Sequence, residues 1–175
     1  MHYFELFGYP PTVNIDADDL RKRFLKKSRL THPDRFANAP EAEQATALAA
    51  ASELNEAYRV LADFDLRLRY LLTEKGLLDA TESKNALPQG FLVEMMDINE
   101  GLQDLRKDYS DEIFFEIKHQ VRLFEKEIQL PVNQLVKSNN LTHNLTPDWE
   151  KLKIFYLKRR YLLRISEKVL TFAAQ

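Results

Sequence analysis

The chain has 175 residues, 45% hydrophobic and 30% charged, which is enough to bury a core in one large domain or two small ones. With no Cys it has no disulfide, thiolate metal site or cysteine nucleophile, and a formal net charge of −2 gives no global pointer to nucleic acid as a partner. Four Gly and seven Pro argue against an all-β fold built on many turns. No apolar run reaches the ~18 residues of a membrane span, so no membrane partner is expected. The first residues, Met1-His2-Tyr3-Phe4-Glu5, have neither the basic nor the apolar region of a signal peptide, and the cytoplasm is the expected compartment.

The first element is a short apolar helix over 3–7, closed near Gly8 and followed by Pro10-Pro11. Asp16 is placed to cap a second helix, with Asp18 and Asp19 in its first turn and cations later, as the helix dipole favours. Leu20, Phe24 and Leu25 supply its expected buried stripe. Between 21 and 29 six residues are basic: Arg21, Lys22, Arg23, Lys26, Lys27 and Arg29. Most charge runs are solvated faces. Here one sign is concentrated on one short helix, which fits steering toward an acidic protein partner. A nucleic-acid partner stays open but lacks a stacking array of aromatic residues.

Pro33 fixes its own φ, has no amide donor and pushes His32 out of the α region, so the basic helix stops at or before His32. Asp34 follows in the connection, where a short carboxylate bonds nearby backbone or reaches a partner. A third helix over about 40–61 returns with Ala47, Ala51, Leu54, Tyr58 and Leu61 on one face. The product is a helical hairpin displaying a polar His-Pro-Asp tip. Asp63 then caps a helix over 64–75, closed by Gly76. Residues 77–87 carry Asp, Thr, Ser and Asn and read as a linker between domains at 1–76 and 88–175.

The second domain reads as three helices. The first covers about 88–109, with Phe91, Met95, Ile98, Leu102, Leu105 and Tyr109 in a single stripe. The second runs from Ser110 to about Leu130, with Ile113, Ile117, Val121, Phe124 and Ile128 as its core. Residues 131–146 look poorly helical in part. Thr146-Pro147-Asp148 starts the last helix, Thr as cap and Pro at its first position, which reaches about Phe172. Three such helices form an antiparallel bundle. The helix over 88–109 has a surplus: Leu92, Val93 and Met96 lie off the core stripe, with Asp97, Glu100 and Asp104 beside them. An apolar patch with an acidic rim is the anatomy of a protein-binding site. The alternative is that Leu92 and Met96 pack within the protein. Ile154, at the edge of the last helix's apolar arc, extends the patch.

Chemistry of its own is not expected. His2, His32, His119 and His143 are scattered without zinc spacing, and there is no Gly-rich phosphate loop or nucleophile elbow. No cofactor or metal is expected.

The His-Pro-Asp tripeptide between two helices resembles the J-domain of co-chaperones. With Tyr3-Phe4-Glu5-Leu6-Phe7-Gly8, His32-Pro33-Asp34-Arg35-Phe36, Ala42-Glu43-Gln44, Arg67-x-x-Tyr70-Leu71-Leu72 and Phe91-Leu92-Val93-Glu94, nearly the whole chain, 131–146 apart, resembles the HscB family of iron–sulfur cluster assembly. The resemblance implies an all-α, L-shaped molecule: an N-terminal J-domain and a C-terminal three-helix bundle. It implies that the J-domain stimulates the ATPase of a DnaK-like chaperone, HscA, and that the bundle binds the scaffold protein IscU. His32, Pro33 and Asp34 would be the stimulating tip, with Arg21, Lys22, Arg23, Lys26, Lys27 and Arg29 on the chaperone-facing helix. Leu92, Val93, Met96, Asp97, Glu100 and Asp104 would form the scaffold site. The family adds an aromatic residue of the last helix, where an ungapped reading gives Ile154 with Phe155 beside it. Asp97 and Asp104 stand where the family pattern has glutamates, and Val93 where it has Met. A general J-domain co-chaperone with an unrelated client is the alternative.

Overall fold

A computed structural model describes residues 1–78, 87–141 and 148–173, the side chains at 33, 131, 133–141 and 173 excepted. Among the described residues there are no strands, and the elements are α1 (His2–Phe7), α2 (Ala17–Thr31), a 3-10 turn (Pro33–Phe36), α3 (Glu41–Ala62), α4 (Phe64–Glu74), α5 (Gln89–Lys107), α6 (Asp111–Leu141) and α7 (Trp149–Ala173). The chain divides into two compact units, Met1–Leu77 and Leu78–Gln175. The expected linker at 77–87 falls largely outside the described residues.

Unit 1 forms around α3. Phe4 and Phe7 of α1, Leu20 of α2, Leu54, Ala57 and Leu61 of α3, and Leu68, Leu71 and Leu72 of α4 are buried together. The small residues of α3 let α1, α2 and α4 each pack against it. Each helix is closed by local chemistry. Gly8, at φ 69, ends α1 in the left-handed region that only Gly enters without strain, and the amides of Gly8 and Tyr9 satisfy the carbonyls of Glu5 and Phe4. Asp16 accepts the Asp19 amide at 2.8 Å to start α2, and Asp63 accepts the Leu66 amide at 2.8 Å to start α4. One charge lies inside. Arg67 is 7% exposed, donating to the Val13 carbonyl at 2.9 Å and to the Leu61 carbonyl, so it ties the loop before α2 to the last turn of α3. Desolvation lowers its pKa from the ordinary guanidinium value, but two carbonyl acceptors hold the charge in place.

Unit 2 is the expected bundle of α5, α6 and α7, with all three helices in mutual contact. Phe91, Met95, Ile98, Leu102 and Leu105 of α5 face Phe114, Ile117, Val121, Ile128 and Val132 of α6 and Leu152, Phe155, Leu162, Ile165 and Val169 of α7. Gly101 brings α5 close to α6: a Cβ there would sit 2.9 Å from Cδ1 of Ile117.

Four expectations about packing need correction. Leu25 is exposed, because the face toward α3 follows Leu20 and Phe24, whose ring stacks on Tyr58 with centroids 4.3 Å apart. Tyr109 is exposed, because Asp108 adopts an extended conformation and ends α5 at Lys107. Ile113 is exposed and Phe114, one residue or about 100° further round the helix, takes the first core position of α6, while Ile117, Val121 and Ile128 stay buried as expected. Finally, α6 continues to Leu141 instead of stopping near Leu130. An interior Pro131 costs a helix about 3 kcal/mol. Ile128 and Val132 stay buried on either side of it, one turn apart, and this packing offsets the cost. Thr146 and Pro147 lie outside the described residues; Asp148 accepts the Lys151 amide at 3.2 Å and begins α7.

Candidate functional site

The tip is built from the backbone outward. His32 ends α2 in an extended conformation (φ −62, ψ 128) and at the same time begins the 3-10 turn, with Pro33 at its start. Its Nδ1 accepts the Asp34 amide at 3.3 Å, and its carbonyl accepts the Arg35 amide at 3.0 Å. The Gln44 side-chain amide of α3 donates to the carbonyls of Ala37 and Ala39, fastening the far side of the turn. Arg35 donates to the Arg29 carbonyl at 3.3 Å, satisfying part of the C-terminus of α2. None of these bonds uses the Asp34 carboxylate, whose side chain is 89% exposed, 3.5 Å from His32 Nδ1.

Beside the tip, Arg21, Lys22, Lys26 and Arg29 are exposed and Lys27 is half-buried. Arg23 departs from the expected basic face. Its guanidinium donates to Asp19 at 2.9 Å and to the carbonyls of Phe7 and Gly8, and it lies 4.2 Å from the Tyr9 ring centroid. Tyr9 in turn donates to Asp19 at 2.6 Å. Arg23 is therefore a clamp between α1 and α2, not a cation free for a partner. Burial, and then the hydrogen bond to Asp19, push the Tyr9 phenol up to about 12. The same bond, with Arg23 beside it, holds the Asp19 carboxyl below the usual carboxylate range.

On unit 2, Val93 and Met96 are 53% and 59% exposed, Leu92 is half-buried, and Asp97, Glu100 and Asp104 are exposed. The outer face of α5 is thus apolar with carboxylates along it. Asp104 pairs with Lys107 at 2.9 Å, which reduces its charge toward a partner. Ile154 is half-buried, whereas Phe155 is 4% exposed and belongs to the core; a shift of one residue on α7 turns it inward, and it leaves the patch. The α5–α7 seam next to this face is fixed by contacts that the periodicity does not reveal. Asn99 donates to the Met95 carbonyl and accepts from Lys168 at 2.9 Å; Phe91 meets Tyr161 edge-on, and Lys158 lies 5.1 Å from the Phe91 centroid. Among the described residues no group of His, Cys, Asp and Glu is arranged to hold a metal, and no helix is long and apolar enough to cross a membrane.

Comparison with known proteins assigns both units. Residues 2–70 match the DnaJ domain, and residues 87–170 match the HSCB C-terminal oligomerisation domain. The co-chaperone protein HscB homolog of Bordetella avium (strain 197N) is 42% identical over 106 residues, which are 61% of this chain and 63% of that relative. The chain therefore spans less than two thirds of that relative in the match. The crystal structure of human co-chaperone protein HscB superposes with a TM-score of 0.74 at 27% identity, over 98% of this chain and 81% of that one. Chaperone HscB from Vibrio cholerae shares the fold, with a TM-score of 0.69 at 23% identity over 100% and 99% of the two chains. With a DnaJ domain whose turn exposes His32 and Asp34 and, later in the sequence, the helical domain particular to these proteins, the chain belongs to the HscB family of J-domain co-chaperones.

Proposed function

We propose that this chain links a DnaK-like chaperone ATPase, HscA, to the iron–sulfur scaffold protein IscU, and that it works in the cytoplasm. One observation carries the reading: a single chain offers two exposed surfaces of opposite character. Unit 1 has a His32–Asp34 turn beside exposed Arg21, Lys22, Lys26 and Arg29. Unit 2 has Leu92, Val93 and Met96 with Asp97 and Glu100. The cations steer the J-domain to an acidic surface of the chaperone. The tip raises ATP hydrolysis by binding the hydrolysis-competent state better than the other, which is the only way binding shifts such an equilibrium. The patch on α5 holds the scaffold, so chaperone and client meet at a raised effective concentration. Stimulation of this kind places no bond-breaking step on the chain itself.

The test is reconstitution from purified proteins. HscA hydrolysis is measured with this chain, with and without IscU, and IscU binding is measured by calorimetry. The chain should stimulate hydrolysis, and adding IscU should raise the rate further. Full stimulation by an Asp34→Asn variant at equal folded protein would refute the role of the tip. Wild-type IscU affinity in a Leu92→Ala, Met96→Ala variant would refute the role of the patch. Pull-down of the chaperone with a different client would replace the scaffold reading by that of a general J-domain co-chaperone.

A further inference from the structure

We propose that the end of the bundle where α5 turns into α6 is a binding site for a small aromatic anion. A cavity of about 850 Å³ opens there, between the last turn of α5, the first turns of α6 and the last turns of α7. Small-ligand sites have volumes of about 300–1,000 Å³. The cavity belongs wholly to unit 2, shares Leu105 with the core stripe of α5 and contains none of the residues assigned to the scaffold patch.

Its lining has two kinds of side chain. Tyr109, Phe114, Phe115 and Phe172 supply aromatic walls, and the charged residues, Arg106, Lys107 and Lys118, are all cations. Lys107 is neutralised by Asp104 at 2.9 Å. Among the described residues Arg106 and Lys118 have no carboxylate partner. The Arg106 guanidinium lies 5.9 Å from the Phe172 centroid, and the Lys118 ammonium lies 5.8 Å from the Phe114 centroid. Asp111 accepts the Tyr109 hydroxyl at 3.1 Å, which fixes that ring. Phe115 stands 62% exposed, in edge contact with Phe114 at 5.6 Å between centroids.

The arrangement selects its ligand chemistry. Exposed rings of Tyr109 and Phe115 recover burial when a flat apolar guest enters, and aromatic edges and faces favour another ring. The exposed Arg106 and the half-buried Lys118 both lie against the aromatic lining, so an anionic guest seated on the rings meets two positive charges. A guest with both properties satisfies both halves of the lining, and a neutral ring or a bare anion satisfies only one. The space between three helix ends suits a bicyclic ring better than a folded protein surface.

The probe is 8-anilinonaphthalene-1-sulfonate, titrated against the full chain by fluorescence and by amide chemical shifts. Binding should saturate at one molecule per chain, with the largest shifts at Arg106, Tyr109, Phe115, Lys118 and Thr171. Arg106→Glu with Lys118→Glu should weaken binding at least about tenfold, whereas Arg106→Lys with Lys118→Arg should keep it within about threefold. N-phenyl-1-naphthylamine, which has the rings without the sulfonate, should bind at least about tenfold more weakly. Shifts centred on Leu92, Val93 and Met96, equal binding of the neutral amine, or indifference to charge reversal in a variant with wild-type circular dichroism would each overturn the proposal. Preference for an acidic peptide over the aromatic sulfonate would do so as well.

Discussion

The His-Pro-Asp turn and the outer face of α5 are both exposed, but they are exposed in different ways. At the turn, position is set by backbone amides and carbonyls, by the His32 ring and by Gln44, so the Asp34 side chain takes no part in holding its own loop. On α5 the outer residues share a helix with the core stripe, and Leu92 is half-buried while Val93 and Met96 stand out. The first surface separates function from folding; the second combines them. Substitution of Asp34 should therefore alter partner activity alone, and substitutions on α5 should alter binding and stability in proportions set by burial.

The largest expected effect breaks the first half of that contrast. Asp34→Asn should reduce chaperone stimulation to the basal rate while thermal unfolding stays within about 0.5 kcal/mol of wild type, the range of ordinary surface changes. A large fall in melting temperature would show that the carboxylate holds the turn after all. Next, Met96→Ala and Leu92→Ala should divide: together they weaken scaffold binding by about tenfold or more, but Leu92→Ala alone should also cost about 1 kcal/mol of stability, from its buried part. Equal stability of the two single variants, read by denaturant titration, would remove the distinction. A smaller effect is expected from Lys22→Glu with Lys26→Glu. The association rate with the chaperone should fall at low salt and lose much of its salt dependence, because these side chains act by steering. Stopped-flow rates at two ionic strengths decide the matter.

The smallest effect concerns the clamp between α1 and α2. The Tyr9 phenol titrates at about 12 in place of its ordinary 10.0, so its contribution to stability is complete below pH 10 and is lost as pH rises toward 12. The Asp19 carboxyl is lowered instead, so its contribution is present at neutral pH and is lost as acid protonates it in the folded state. Tyr9→Phe should flatten the alkaline limb of a melting-temperature profile between those values. An unchanged alkaline limb would mean that the phenol does not report on folding.

Much of this was legible in the residues because local chemistry dictated it. Asp16, Asp63, Gly8 and Pro33 each impose a start or a stop that neighbours cannot override, and α1 to α4 follow them. The core stripe of α5 also emerged from its spacing. What periodicity could not supply was the choice between adjacent apolar residues: Ile113 or Phe114, Ile154 or Phe155, Phe24 or Leu25. In each pair both members are apolar, and only contact with a neighbouring helix decides which turns inward. Arg23 was miscast because a cation in a basic run looks like its neighbours until the carbonyls of Phe7 and Gly8 are brought to it by the fold. The rings and cations at the α5–α6 turn come from three separate segments of the chain, so no local pattern announces them. The helix through Pro131 reverses a local preference by packing Ile128 and Val132.

The His32 ring has a further consequence. With the imidazole uncharged, the nitrogen that receives the Asp34 amide can carry no hydrogen, so the hydrogen must sit on Nε2, the other ring nitrogen. The ring therefore offers a visiting protein a hydrogen from Nε2, within the same short turn that leaves the Asp34 carboxylate open to accept one.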